Sequence, residues 1–390
     1  MKREEGTFSR IKAVNPRWTR STTVAFAKLI VVLAFVVVLA ACTTVVPPVR
    51  STNPVWSPDG HLIAYECYED GPHISSFEFG IAEYTKDASE ICVIDINGQN
   101  KMRLTHNSTA DVSPIWSPDG HQIAFIRSDG LYVINSDGTN LRHLVENRWI
   151  TSAAWSPDGQ RLAFGECQHK QPGRFSVVDN DGKNLVTLTD EPGLMSEYPM
   201  NAYPIWSPDG LQLAYASSKG DCDTPADSTL RLKVLDIPSG ISCDVLNRDL
   251  YGLRDVSWLA NDEISLAFSD SAAVGWETDL YVADINTGST TEHLFGGMRD
   301  AIHYARSHDR ASIAYSTPVG EIYLDSSAFD NPKEIWRADN TIYSLSWSPD
   351  DQSLLVNSRY PVSGTQNSQS TEVIWLISRD GSSATRLTNP

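Results

Sequence analysis

Five residues, Trp-Ser-Pro-Asp-Gly, recur four times unchanged in this chain, opening at Trp56, Trp116, Trp155 and Trp206. A fifth copy, Trp347-Ser348-Pro349-Asp350-Asp351, differs only in its last residue. Two eroded copies lie between. One is Val256-Ser257-Trp258 followed by Leu259-Ala260-Asn261-Asp262, and the other is read as Tyr304 followed by Ser307-His308-Asp309. The seven anchors stand roughly 40 to 60 residues apart, a period that marks an array of one supersecondary unit.

Each copy leads into a short apolar run: Leu62-Ile63-Ala64-Tyr65, Ile123-Ala124-Phe125, Leu162-Ala163-Phe164, Leu213-Ala214-Tyr215. A second run ends in a polar turn, as in Ile91-Cys92-Val93-Ile94-Asp95 before Asn97-Gly98. A third closes several units, as in Leu185-Val186-Thr187-Leu188-Thr189. Short runs rich in β-branched and aromatic residues, bounded by Asn, Asp, Gly and Pro, are strands. In Ser57-Pro58-Asp59-Gly60, proline presets φ, aspartate can bond its own backbone, and glycine accepts the left-handed conformation. That is a hairpin turn, and Asn97-Gly98, Asp137-Gly138, Asp181-Gly182 and Asp380-Gly381 form a second set. The tryptophan before each turn offers a flat apolar face for packing between sheets. One unit is therefore a blade of four antiparallel strands. The fold class is all-β, a β-propeller of seven such blades, with six or eight as alternative counts; ring closure removes long exposed sheet edges. How the ring closes stays open, since Val45–Val49 could pair into the last blade.

The formal charge is −18 over 390 residues. The first 42 residues carry seven of the basic side chains and two carboxylates, leaving about −23 on the rest. Such an acidic body excludes nucleic acid as a partner, because phosphates demand basic surface. Its plainest role is solubility, with attraction of a basic partner as the alternative.

Residues 1–28 are basic, Leu29–Leu39 are uncharged and apolar, and Ala40-Ala41-Cys42 follow. A basic stretch, a short apolar stretch and small residues before a cut describe an export signal. Leu39-Ala40-Ala41-Cys42 resembles the lipobox of bacterial lipoproteins, in which the cysteine is lipidated and the chain cut before it. This divides the chain into a signal peptide (1–41), lipidated Cys42 with a short tether (42–53) and a propeller (54–390). An uncleaved membrane anchor or ordinary secretion are the competing readings. In the Gram-negative lipoproteins, aspartate after the cysteine favours retention at the inner membrane, and this chain has Thr43. Export makes disulfides available. Cys67 closes one strand and Cys92 opens the next, so they could pair; Cys222 and Cys243 could pair likewise, leaving Cys167 free. Other pairings, or none, remain open.

The repeated Trp-Ser-Pro-Asp-Gly, followed by Ile/Leu-Ala-Phe/Tyr and a later Tyr-Val-x-Asp type strand, resembles the TolB-type propeller repeat. The resemblance runs from about Pro54 to Pro390 and is weakest at Trp258 and Tyr304. It implies the fold and a tendency to bind proteins. TolB itself carries an α/β domain before its propeller, and this chain is expected to be a lipid-anchored relative without it.

Related repeats precede prolyl-oligopeptidase-type hydrolase domains and form some polysaccharide lyases, so chemistry must be weighed. No Gly-x-Ser-x-Gly elbow occurs. No histidine pair has zinc-protease spacing, and His303 and His308 near Asp300 and Asp309 read as a turn. Asp179-Asn180-Asp181-Gly182-Lys183-Asn184 fails as a calcium loop, because Lys183 sits where an oxygen ligand is needed and Asn184 where glycine is. His61 and His121 follow the turn glycine, a place also held by Gln160 and Leu211, so they read as exposed. The aspartates of the repeated turns read as structural. No catalytic residue, cofactor or metal is expected. Insertions at Glu69–Glu90 and Ser218–Ser228 break the rhythm, and loops on a rigid scaffold carry binding. His73, Phe77, Phe79 and Tyr84 in the first are the candidate recognition residues. The expected function is a non-catalytic envelope lipoprotein that binds an unknown envelope protein or a glycan. The alternative is a lyase-like enzyme or carbohydrate-binding protein using the central channel.

Overall fold

The computed structural model describes residues 51–68, 89–147, 149–166, 173–189, 204–220, 225–246, 250–269, 279–293, 301, 303–326, 332–361 and 370–388. They belong to one compact unit, Pro48–Asp70 with Glu83–Pro390; the other, Met1–Pro47 with Gly71–Ala82, contains no described residue.

Seven blades follow in chain order. Blade 1 holds β1 (Ser51–Trp56), β2 (Leu62–Cys67), β3 (Glu90–Asp95) and β4 (Met102–Arg103). Blade 2 holds β5 (Asp111–Trp116), β6 (Gln122–Arg127), β7 (Gly130–Asn135) and β8 (Arg142–Glu146). In blade 3 they are β9 (Ile150–Trp155), β10 (Arg161–Glu166), β11 (Arg174–Asp179) and β12 (Val186–Thr189). Blade 4 contains β13 (Ile205–Trp206), β14 (Gln212–Gly220), β15 (Pro225–Asp236) and β16 (Ile241–Asp244). Blade 5 contains β17 (Leu250–Ala260), β18 (Glu263–Ser269), β19 (Asp279–Asp284) and β20 (Thr290–His293). Blade 6 is β21 (His303–Arg306), β22 (Ser312–Ser316), β23 (Glu321–Ser326) and β24 (Lys333–Arg337). Blade 7 is β25 (Ile342–Trp347), β26 (Ser353–Pro361), β27 (Ser370–Ser378) and β28 (Ala384–Arg386). All neighbouring pairs are antiparallel, and one pairing crosses blades: Thr229 and Leu230 of β15 meet Tyr251 and Leu250 of β17, fusing blades 4 and 5 into one sheet.

The first strands of successive blades lie against one another around the ring, and β1 meets β26 and β27 of blade 7. The propeller thus has seven blades, and both terminal blades complete their four strands from their own stretch of chain. Closure rests on packing. Ile63, Tyr65 and Ile94 of blade 1 share a buried cluster with Leu355, Ile374 and Leu387 of blade 7.

The repeated turn explains itself atom by atom. In six blades the turn serine (57, 117, 156, 207, 307, 348) donates its hydroxyl to the aspartate two residues on, at 2.5–2.6 Å. The same carboxylate accepts a backbone N–H two residues further, at 2.8–3.0 Å. The last turn position is left-handed (Gly60, φ 73°), which glycine adopts without cost. It also abuts the previous blade's proline: a Cβ on Gly60 would stand 3.4 Å from Pro349 Cδ. Residues 61, 121, 160 and 211 lend only a carbonyl to the end of the third strand, so their side chains are free to vary. This confirms His61 and His121 as exposed turn residues.

Each turn tryptophan ties its blade to the one before. The indoles of Trp116, Trp155, Trp206, Trp258 and Trp347 donate to the carbonyls of Val55, Ile115, Ala154, Ile205 and Ala305 at 2.9–3.2 Å. These acceptors directly precede the tryptophan of their own blade in four cases. By the same register, Ala305 precedes Arg306, so blade 6 carries Arg306-Ser307-His308-Asp309-Arg310 in the motif's frame. Tyr304 is therefore not the anchor of that blade; two residues of slippage went unseen because neither candidate is tryptophan.

Candidate functional site

The propeller has a turn face, where the first and third strands of each blade end, and a loop face with the longer connections. The blade 1 insertion leaves the loop face between β2 and β3. Its candidate residues His73, Phe77, Phe79 and Tyr84 lie outside the described residues, as does Cys42. What the structure describes is their foundation.

Both ends of the insertion are clamped. Cys67 and Cys92 form a disulfide with their Cα atoms 5.8 Å apart, as their places on adjacent strands predict. Opposite Cys67 stands Glu90, fully buried. Its carboxylate accepts the Thr105 hydroxyl at 2.5 Å, the Asn107 backbone N–H at 2.6 Å and an Arg103 nitrogen at 2.8 Å. Asn107 also bridges to the buried Asp111 at 2.8 Å, and Arg127 holds Asp111 with two nitrogens at 2.6 and 2.9 Å. Glu66, beside Cys67, accepts Asn53 Nδ2 at 2.6 Å and the Ser113 backbone N–H of blade 2 at 2.9 Å. Buried carboxylates are tolerated only when paired and hydrogen-bonded in this manner, and the pairing makes their position rigid. Hydrogen bonds to Asp111 raise the Arg127 guanidinium above its ordinary range. Arg127 also lies 4.3 Å from the Tyr132 ring, on whose plane His143 stacks at 4.2 Å. In blade 3 the equivalent position is Glu166, bonded by Asn147 and Ser176, and burial pushes its carboxyl above the usual range. The sequence carried a signal for this network: charged residues at strand ends that should have been apolar.

On the turn face, two adjoining cavities of about 430 and 300 Å³ share Asp119, Gln122 and Asn180 along the seam of blades 2 and 3. At the next seam Arg161, which holds the place of Gln122, spans the gap to Gly210 O at 3.2 Å and lies 5.0 Å from the Trp206 ring. The groove walls include Asp119, Asp137 and Asp158, whose carboxyls are held low chiefly by hydroxyl donation from Ser117, Thr139 and Ser156. Such a lining suits neutral polar or cationic groups and repels anions.

Among the described residues, no group of three His, Cys, Asp or Glu side chains is placed to hold a metal ion. His303 and His308 stand at opposite ends of β21, and His308 Nδ1 meets Asp351 Oδ1 at 2.8 Å. The Asp179–Asn184 stretch is a hairpin turn in which the Lys183 ammonium sits 2.7 Å from Asp181. Cys243 is a free, exposed thiol, so its expected bond to Cys222, which lies outside the described residues, is not made.

Comparison with known proteins agrees with this geometry. The family model of the TolB beta propeller domain matches residues 78–224. An uncharacterized protein of Agrobacterium fabrum is 30% identical over 172 residues, 41% of this chain and about half (52%) of that protein. An oligogalacturonate lyase from Vibrio parahaemolyticus superposes with a TM-score of 0.62 at 11% identity, covering 84% of this chain and 90% of the lyase. The β-propeller domain of the trilobed protease from Pyrococcus furiosus, described as having an open velcro topology, gives 0.59 at 14% identity, covering 88% and 96%. At such identities the likeness is one of fold.

Proposed function

From its TolB-type propeller repeats, we propose that this chain is a lipid-anchored, extracytoplasmic protein of a bacterial envelope that binds a protein partner and performs no chemistry itself. Cys42 carries the lipid, residues 43–53 are the tether, and the ring presents loops to the partner. The observation that carries this reading is the clamp beneath the blade 1 insertion. A disulfide and a fully bonded buried carboxylate hold both ends of the one insertion rich in aromatic residues, and binding sites gain affinity from such rigid support.

Cross-linking capture from native envelopes tests it, with the full-length chain as bait. One reproducible protein partner is expected, lost at least tenfold when Phe77, Phe79 and Tyr84 become alanine. Glycan fragments with no protein would overturn the reading in favour of the channel. Replacing Cys67 and Cys92 together by serine removes a cross-link worth about 3 kcal/mol and should weaken capture in parallel. Membrane attachment is read separately: Cys42→Ser should move the chain to the soluble fraction, and attachment unchanged by it would remove the lipid anchor.

A further inference from the structure

Seven outer strands (β4, β8, β12, β16, β20, β24 and β28) end the seven blades, each with one row of backbone N–H and C=O groups turned outward. A bare edge templates another strand unless charge, proline or a bulge prevents it. The chain supplies its own controls, since these edges are equivalent by position. Six are guarded within the strand by charged residues such as Arg103, Arg142, Asp244, Glu292, Lys333 and Arg386. β12, Val186-Thr187-Leu188-Thr189, contains no charged residue. Val186 is 53% exposed and the adjoining Leu185 54%, and among the described residues β12 pairs only with β11. A bulge interrupts the β11–β12 register, yet β8 has the corresponding bulge and is guarded by charge as well.

We propose that β12 is a docking edge, to which an extended segment of a partner protein adds as a fifth strand of blade 3. This rests on the reading of the chain as a protein-binding scaffold. The ladder itself specifies the occupant: only an extended backbone satisfies a row of alternating donors and acceptors. The exposed Val186 and Leu185 call for an uncharged, β-branched stretch opposite them. The body carries about −23, and Asp179 and Asp181 stand on the turn leading to β12, which favours basic flanks on the segment. A second copy of this chain fits less well, because two acidic bodies would meet and a four-residue edge falls far short of the area a stable dimer buries.

The test uses the full-length chain in detergent and a fluorescent peptide of alternating Thr and Val flanked by paired lysines. Saturable binding is expected, with amide protection appearing on β12. Val186→Lys, at an exposed site that leaves the fold intact, should weaken it at least tenfold, and N-methylation of alternate peptide amides should abolish it. No binding at about millimolar peptide, or binding indifferent to either change, overturns the proposal. Self-association abolished by Val186→Lys would make a second copy the occupant and overturn it likewise. The scaffold reading fails separately: an envelope partner captured equally by Val186→Lys leaves the scaffold standing and removes the edge.

Discussion

The seam between blades 2 and 3 and the seam between blades 5 and 6 occupy equivalent positions and are built oppositely. At the first, Trp155 is buried, donates to Ile115 O, and belongs to a cluster that includes Val133, Leu162 and Phe164. At the second, Arg306 stands in the tryptophan's place, and its Nε and Nη1 are buried without a hydrogen-bond partner among the described residues. Ser265, in the place of Ala64, is fully buried with an unpartnered hydroxyl. The apolar cluster bridging that seam joins Ala267 to Ile313, with Tyr304 against it. A ring tolerates one weak seam because each blade is held from both sides.

The largest test of this contrast is deletion of the two equivalent side chains. Trp155→Ala should cost about 3 to 5 kcal/mol by denaturant unfolding, as burying a large aromatic does. Arg306→Leu should be neutral or stabilising, because it removes buried donors that nothing satisfies. A large loss at Arg306 would mean that the guanidinium supports its seam.

The seam of blades 6 and 7 shows repair. Four seams place a glycine against the previous blade's proline, at positions 60 and 349, 120 and 58, 159 and 118, and 210 and 157. Here His308 replaces proline and so has an N–H, while Asp351 replaces glycine. The Asp351 carboxylate accepts the His308 and Asp309 N–H groups, each at 2.8 Å. Asp351→Gly should cost about 1 to 2 kcal/mol despite relieving a left-handed aspartate (φ 56°), since two N–H groups lose their acceptor. His308→Pro added to it should recover most of the loss in a double-mutant cycle. Failure to recover would show that the two positions are independent.

A smaller difference separates Trp56 from Trp116. The Trp56 indole N–H has no partner at the closing seam, whereas Trp116 donates to Val55 O. Converted to phenylalanine, Trp116 should lose about 1 kcal/mol more than Trp56.

Acidification should give the mildest and broadest effect. The turn aspartates 59, 119, 158, 309 and 350 have carboxyls held below their ordinary range, first by serine hydroxyls. A depressed folded value means stability that is fully present above about pH 4 and lost as pH falls through it. Tryptophan fluorescence against pH should stay flat down to that point, then drop. The drop should be smaller after the aspartates of several turns are replaced by asparagine.

The blades were legible because a strand, a turn and the next strand are local objects. Ser57, Pro58, Asp59 and Gly60 specify their turn with no help from elsewhere, and Cys67 with Cys92 follows from adjacent strands. Blade 6 was misaligned by two residues because its register is fixed by Trp347 reaching Ala305, 42 residues away. The clamp beneath the insertion was missed for the same reason: Glu66 finds its Ser113 partner 47 residues on, in the next blade. By itself, then, the sequence determined the repeating unit, the number of its copies and the chemistry of each turn, because those interactions close within one hairpin. Tertiary structure alone decided which buried carboxylates are satisfied, which tryptophan goes unbonded and which outer edge is left bare. Those outcomes depend on which blades the ring brings together, and no local pattern encodes that.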